Sequence, residues 1–159
     1  MRRDKLKVVA ETVQPDDAGP AGEGGYVLDT QVGFLMRVAM QRHTSIFMSR
    51  MTESLTQTQF AALAKLYEVG PCSQNHLGRL IYLDAATIKG VVDRLALRGF
   101  VTAMNDPNDR RRRAVALTKR GQQVTEAAMQ VATKITADTL APLTADERRQ
   151  VLSLLDRLS

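Results

Sequence analysis

Residues 73–100, SQNHLGRLIYLDAATIKGVVDRLALRGF, leave the chain few ways to fold. Ser73 is a good cap for a short helix carrying Leu77, Leu80 and Ile81. Tyr82-Leu83 leaves room only for a tight link, and Asp84 then caps a second helix. Ile88, Val91, Val92 and Leu95 fall at i, i+3, i+4 and i+7 and form its buried stripe. Gly99 stands where a left-handed residue closes a helix. Two short helices joined by a tight turn match a helix-turn-helix.

The next segment, FVTAMNDPNDRRRRAVALT, alternates twice around a turn. Phe100–Met104 and Arg112–Leu117 read as strands, with Asp106-Pro107-Asn108-Asp109 as the turn between them. A hairpin directly after a helix-turn-helix is a wing. It carries four adjacent arginines, Arg110 to Arg113, whose mutual repulsion must be offset by something. Residues 73–120 hold ten Lys/Arg against four Asp/Glu, and the rest of the chain holds twelve against thirteen, so the net +5 is concentrated in one third of the sequence. That asymmetry points to a polyanion, although a basic face that is merely solvated looks the same on charge alone.

Double-stranded DNA accounts for both features. On the second helix, Ala86, Gly90 and Asp93 lie opposite the buried stripe, flanked by Thr87, Lys89 and Arg94. Small residues let a helix sit deep in a major groove, where base edges are readable. Thr87 and Lys89 can reach bases, and Arg79 and Arg94 can hold phosphates. Asp93 would repel phosphate, and Arg94 could instead pair with a nearby carboxylate. At the hairpin tip, Arg110 and Arg111 can enter a minor groove, whose potential attracts arginine. Arg112 and Arg113 point to opposite faces of their strand, so at most one meets DNA, and a salt bridge along the strand is the equal alternative.

Both ends of the chain read as helical. Asp29 is placed to cap a helix running to about Arg50, with Val32, Leu35, Met36, Ala39, Ile46 and Phe47 in one stripe and Phe34, Val38 and Met40 outside it. Such a helix is apolar on several sides, which in a short chain points to a subunit interface. Thr56 and Gln59 form a capping box for a helix with Phe60, Leu63, Ala64 and Tyr67, ended by Gly70-Pro71. Thr118 caps a long helix with Val124, Ala128, Val131 and Ile135, broken by Pro142, and Thr144 and Glu147 open a last one with Val151, Leu152, Leu155 and Leu158. The stripes of these last two helices are expected to need a partner surface. The expected fold is mainly α with a small β-hairpin: a tail over 1–28, a helical dimerisation region from 29–52 and 118–159, and a winged helix-turn-helix over 53–117.

The residues DAATIKGVVDRLALRGFV and DPNDRRRRAVALTKRG, in this order, resemble the MarR family of bacterial transcription regulators. The family's wing motif, D-x-x-D-x-R then five residues and L-T-x-x-G, is met by Asp106, Asp109, Arg111, Leu117, Thr118 and Gly121. The resemblance spans roughly residues 29–158. It implies a repressor that binds a pseudo-palindromic operator as a homodimer, with Arg111 in the minor groove and Asp109 orienting it. Many members carry Arg where this chain has Asn108. The start, YVLDTQVGFLMRVAMQRHTSIF, also looks like a branch that controls catabolism of aromatic acids.

In this family small molecules bind between the first long helix and the DNA-binding domain. The resemblance therefore implies an effector site at Arg37, Met40, His43, Phe47 and Tyr67, suited to an aromatic acid or its coenzyme A thioester. A thioester would lean on Arg42 or on Arg2, Arg3, Lys5 and Lys7 for its phosphates. His43 lies on the apolar stripe, so a satisfied core or interface histidine is the competing reading.

Other chemistry finds little support. His43, His76 and Cys72 have no metal-ligand spacing, and no phosphate loop or nucleophile motif is present, so neither an enzyme nor a cofactor is expected. Cys72 is a candidate redox sensor or, more simply, a packing residue. The remaining alternative is an architectural DNA binder without an effector. One cysteine, no long apolar run and no apolar h-region lead to the expectation of a cytoplasmic protein that does not enter a membrane.

Overall fold

The structure, a computed structural model, describes residues 25–105 and 113–159. Among the described residues six α-helices and two strands follow in order: α1 Val32–Arg50, α2 Gln57–Val69, α3 Gln74–Leu80, α4 Ala85–Leu97, β1 Val101–Asn105, β2 Arg113–Leu117, α5 Lys119–Thr139 and α6 Ala145–Leu158. Short 3-10 turns cover Leu28–Thr30 and Thr52–Ser54. The described residues divide into two units at the boundary between Leu35 and Met36.

In the first unit Asp29 does not cap α1. It lies inside the 3-10 turn, where Thr30 donates to the Val27 carbonyl through its backbone (3.3 Å) and its hydroxyl (2.9 Å), and α1 opens only at Val32. A residue spent on a tight turn is not available to the helix that follows.

The second unit is built around one core. Leu55, Leu63, Leu77, Ile88, Leu95 and Phe100 are fully buried in it, joined by Ala128 and Ile135 from α5. α2 packs on α3, α4, α5 and β2, and α3 packs on α4. The expected caps are present: Thr56 and Gln59 close a reciprocal box, Ser73 accepts from the His76 N–H, Asp84 from Thr87, Thr118 from Gly121, and Thr144 forms the second box with Glu147. Gly70, at φ 78, ends α2 in the left-handed region that glycine adopts freely.

The strands pair antiparallel, from Val101 opposite Leu117 to Asn105 opposite Arg113. β1 begins and ends one residue later than expected, Phe100 being buried in the core, whereas β2 ends at Leu117 as expected and its expected first residue, Arg112, lies outside the described residues. The α5 stripe departs from expectation more seriously. Ala128 and Ile135 are buried within the chain and Val124 and Val131 pack against the same core, so this stripe needs no partner. α6 is different: none of its residues is buried.

Candidate nucleic-acid interface and effector site

The crossing of α3 and α4 is set by Gly78. A Cβ there would lie 3.0 Å from the Leu83 carbonyl oxygen and 3.1 Å from Ile88 Cγ2. The bare backbone lets the two helices close up, and the Leu83 N–H donates to the Gly78 carbonyl at 2.9 Å to hold the turn. α4 is thereby mounted firmly, with Ala86, Thr87, Lys89 and Arg94 exposed and Gly90 half-buried.

The polar groups of that face are already engaged. Asp84 accepts from both the backbone N–H and the hydroxyl of Thr87, each at 2.8 Å, and these bonds hold its carboxyl below the usual value. The Thr87 hydroxyl can still accept a hydrogen bond from a base, but to donate one it must leave the cap. Lys89 Nζ lies 2.6 Å from Asp93 Oδ2, an exposed i, i+4 pair. The pair offsets the charge of Asp93 only while it holds; being exposed it breaks at little cost, and Lys89 moving to a base would leave the Asp93 carboxylate uncovered. The Arg94 guanidinium lies back over Gly90, 3.5 Å from the point a Cβ would occupy. Gly90 thus seats an arginine as well as keeping the helix face shallow. Arg79, exposed on α3, approaches His76 Nδ1 at 3.4 Å.

The wing is fastened at its base. Val115 exchanges backbone hydrogen bonds in both directions with Cys72, at 2.8 and 3.2 Å. Thr118 donates its hydroxyl to the Gly99 carbonyl at 2.6 Å while accepting from the Gly121 N–H at 2.9 Å. At Gly121 a Cβ would fall 1.8 Å from the Phe100 carbonyl oxygen. The L-T-x-x-G motif therefore has a mechanical meaning: threonine ties the end of the wing to its start, and glycine lets α5 abut it. Arg98 and Arg120 stack over the Phe100 ring, 4.5 and 5.1 Å from its centre. Arg113 is exposed and meets Asn105 Oδ1 at 3.5 Å, an amide and not a carboxylate. Asp109, Arg110, Arg111 and Arg112, the expected groove contacts at the tip, lie outside the described residues.

The five expected effector residues do not all come together. Phe47 is buried, its ring 6.2 Å from both His43 and Phe60. His43 Nδ1 lies 2.9 Å from Thr139 Oγ1, and the Thr139 hydroxyl donates to the Ile135 carbonyl at 2.8 Å. With that hydroxyl proton spent, His43 must donate from Nδ1, leaving Nε2 as its remaining hydrogen-bonding position. Arg42 donates to the carbonyls of Asp138 (3.0 Å) and Thr139, and Arg50 lies 3.0 Å from the Asp138 carboxylate. The last turn of α5 has no basic residue of its own, and α1 supplies the cations that its orphan carbonyls favour.

Tyr67 stands elsewhere. Its hydroxyl donates to Glu126 Oε1 at 3.0 Å, a bond that raises the phenol above its usual value. Glu126 and Thr139 are 13 residues apart on α5, about 20 Å along its axis, so within one chain Tyr67 and His43 line different places. Arg37 and Met40 are exposed on α1. Thr139 was missed as a member of this cluster, and Arg42, expected to hold the phosphates of a thioester, is instead engaged with the α5 carbonyls. The contact spans 96 or more residues in sequence, and its only early sign was an α5 C-terminus without a cation. Cys72, the candidate redox residue, is buried beside the wing strand to which its backbone is bonded, a setting in which thiols are poorly reactive.

Comparison with known proteins agrees with this architecture. The sequence profile of the MarR family matches residues 55–112. The chain is 38% identical to the HTH-type transcriptional repressor NicR of Pseudomonas putida over 142 residues, 89% of this chain and 90% of NicR. Among solved structures, a probable transcriptional regulator from Pseudomonas aeruginosa is 47% identical with a TM-score of 0.80, covering 84% of this chain and all of that one. Bordetella bronchiseptica BpsR is 36% identical with a TM-score of 0.79, over 85% of this chain and 97% of its own, and its structure describes how 6-hydroxynicotinic acid regulates its DNA binding. A glycine-mounted helix-turn-helix, a wing tied down by its L-T-x-x-G motif and relatives aligned over nearly their whole length lead to one conclusion: the chain belongs to the MarR family of winged helix-turn-helix transcription regulators.

Proposed function

We propose that this protein is a homodimeric repressor that binds a pseudo-palindromic operator and is released by a free aromatic or heteroaromatic carboxylic acid. The observation that carries the proposal is the exposed face of α4, where Ala86, Thr87, Lys89, Gly90 and Arg94 are held out by a rigid crossing. On DNA, Thr87 and Lys89 read bases, Arg79 and Arg94 hold phosphates, and the tip residues Arg110 and Arg111, oriented by Asp109, enter the adjacent minor groove. The dimer uses the apolar surface left open at both chain ends. Val32, Leu35, Met36, Leu152, Leu155 and Leu158 are each about half exposed or more in the single chain. Two-fold symmetry then sets half-sites about 10 bp apart.

Of the two effector forms the free acid is favoured over the coenzyme A thioester. BpsR, similar over most of its length, responds to 6-hydroxynicotinic acid. A carboxylate suits the cationic stretch of α1, where Arg37 and His43 face it and Met40 and Phe47 supply the apolar wall. Such a ligand acts only through a difference in affinity between the DNA-bound and released forms of the dimer.

The experiment is a titration of the protein–operator complex with 6-hydroxynicotinic acid, a panel of benzoic acids and their coenzyme A thioesters. Release by acids alone is expected, and release by thioesters alone would reverse the choice. In parallel, Arg111→Ala should weaken operator binding and reduce its salt slope by about one counterion. Unchanged affinity in a folded Arg111→Ala protein removes the wing from the interface.

A further inference from the structure

We infer that Tyr82 is an operator contact, its phenolic hydroxyl donating to a phosphate oxygen at the edge of the groove that α4 enters. The inference rests on the DNA-binding reading above and adds to it a residue that neither charge nor motif singled out. Tyr82 occupies the turn between α3 and α4 at φ 57, in the left-handed region where a side chain beyond Cβ is disfavoured and Gly or Asn is at home. Its side chain is 86% exposed, more than double the exposure of Tyr67. Among the described residues its hydroxyl has no hydrogen-bond partner. A large aromatic therefore stands at a strained position without packing or capping anything in the described protomer. Strain that persists without a local return marks a candidate functional position.

The surroundings fix where that ring stands. Leu83 N–H is bonded to the Gly78 carbonyl, and Gly78 leaves no slack between α3 and α4, so the turn cannot easily refold to hide the side chain. Tyr82 lies two residues before the Asp84 cap of α4, its Cα within about 7 Å of that of the cap. In a docked helix-turn-helix, the first residues of the second helix meet base edges and the first helix crosses the backbone, which places the turn near the groove edge. Phosphates line both edges of a groove about 12 Å wide, and tyrosine is among the side chains that donate to them. Arg79, three residues earlier and also exposed, supplies charge to the same stretch of backbone. The phenol adds a directional bond without charge.

That neutrality provides the test. A duplex selected from a random library by the unaltered protein serves as the operator, and affinity is measured across a salt series. Tyr82→Phe should lower affinity about ten- to hundredfold for each half-site, through the loss of a hydrogen bond to a charged group in each, with the salt slope unchanged because no cation is removed. Tyr82→Gly should lower affinity at least as much while raising Tm by a few degrees, since the left-handed strain is relieved. Opposite movement of stability and affinity is what a merely structural tyrosine cannot produce. Operator affinity of Tyr82→Phe equal to that of the unaltered protein overturns the phosphate contact, as does a Tyr82→Gly protein that loses stability and affinity together. If the unaltered protein selects no sequence at all, the repressor reading fails and this inference falls with it.

Discussion

α5 and α6 are alike as sequences and opposite as structures. Each opens on a threonine cap, and each carries an apolar stripe near heptad spacing. α5 buries its stripe in its own chain, with Ala128 at 0% and Ile135 at 1% exposure, whereas α6 leaves Leu152, Leu155 and Leu158 at 48% or more. The period of a stripe reveals which face is apolar but not what covers it. α5 finds its cover because Gly121 and Thr118 dock its first turn against Phe100 and aim the helix along α2. α6 follows a turn at Leu140–Leu143 and meets no comparable anchor among the described residues. In the dimer proposed above, the second copy supplies the missing surface.

The largest expected effect strikes the anchor itself. Gly121→Ala drives a methyl into the Phe100 carbonyl, and backbone has to move to admit it. A loss of about 3 kcal/mol or more is expected in denaturant unfolding. A loss below about 1 kcal/mol would mean that α5 does not depend on this seat.

Next comes the direct contrast of the two stripes. Ile135→Ala should cost about 2–5 kcal/mol of stability, the usual range for a buried aliphatic truncated to alanine. Leu155→Asp should leave the secondary structure of the chain intact and shift sedimentation from dimer toward monomer as concentration falls. A Leu155→Asp protein that remains dimeric at nanomolar concentration breaks the comparison, because α6 then lies outside the interface.

The smallest effect concerns the caps. Asp84 and Glu147 both accept backbone and hydroxyl hydrogen bonds that hold them below their ordinary values of 3.8 and 4.5. A carboxyl depressed in the folded state binds its proton more readily when unfolded. Its stabilising contribution is present above the ordinary value and disappears as pH falls through the lower folded value. Stability should therefore decline below about pH 4, and Asp84→Asn, which keeps an oxygen acceptor, should flatten that decline. An acid limb of the same steepness in Asp84→Asn would place the titration elsewhere.

The success of the cap assignments and the failure of others have one cause. Thr56, Ser73, Asp84, Thr118 and Thr144 act over three residues, so their partners were visible beside them in the sequence. Asp29 had the right chemistry, but Thr30 and Gln31 bind the Val27 carbonyl and close a tight turn first. The core stripe of α4 was legible because its period is regular. The grouping of Tyr67 with His43 was not secure, because only the path of α5 decides how far apart two residues of different helices stand. The Arg42–His43–Thr139 contact was hidden for the same reason, with nearly a hundred residues between its halves.

The two fastenings of α5 have a mechanical consequence. The helix runs 21 residues, a rod about 31 Å long, clamped at one end by Arg42 and His43 and at the other by the base of the wing. A stiff rod held this way is a lever. Tilting it by about 5° about the Arg42 clamp swings the far end by about 3 Å, comparable to a whole hydrogen-bond length. A push of just under about 1 Å applied about 10 Å from the clamp produces that tilt, so in the repressor proposed above the DNA-reading end could be moved without anything large happening beside α1.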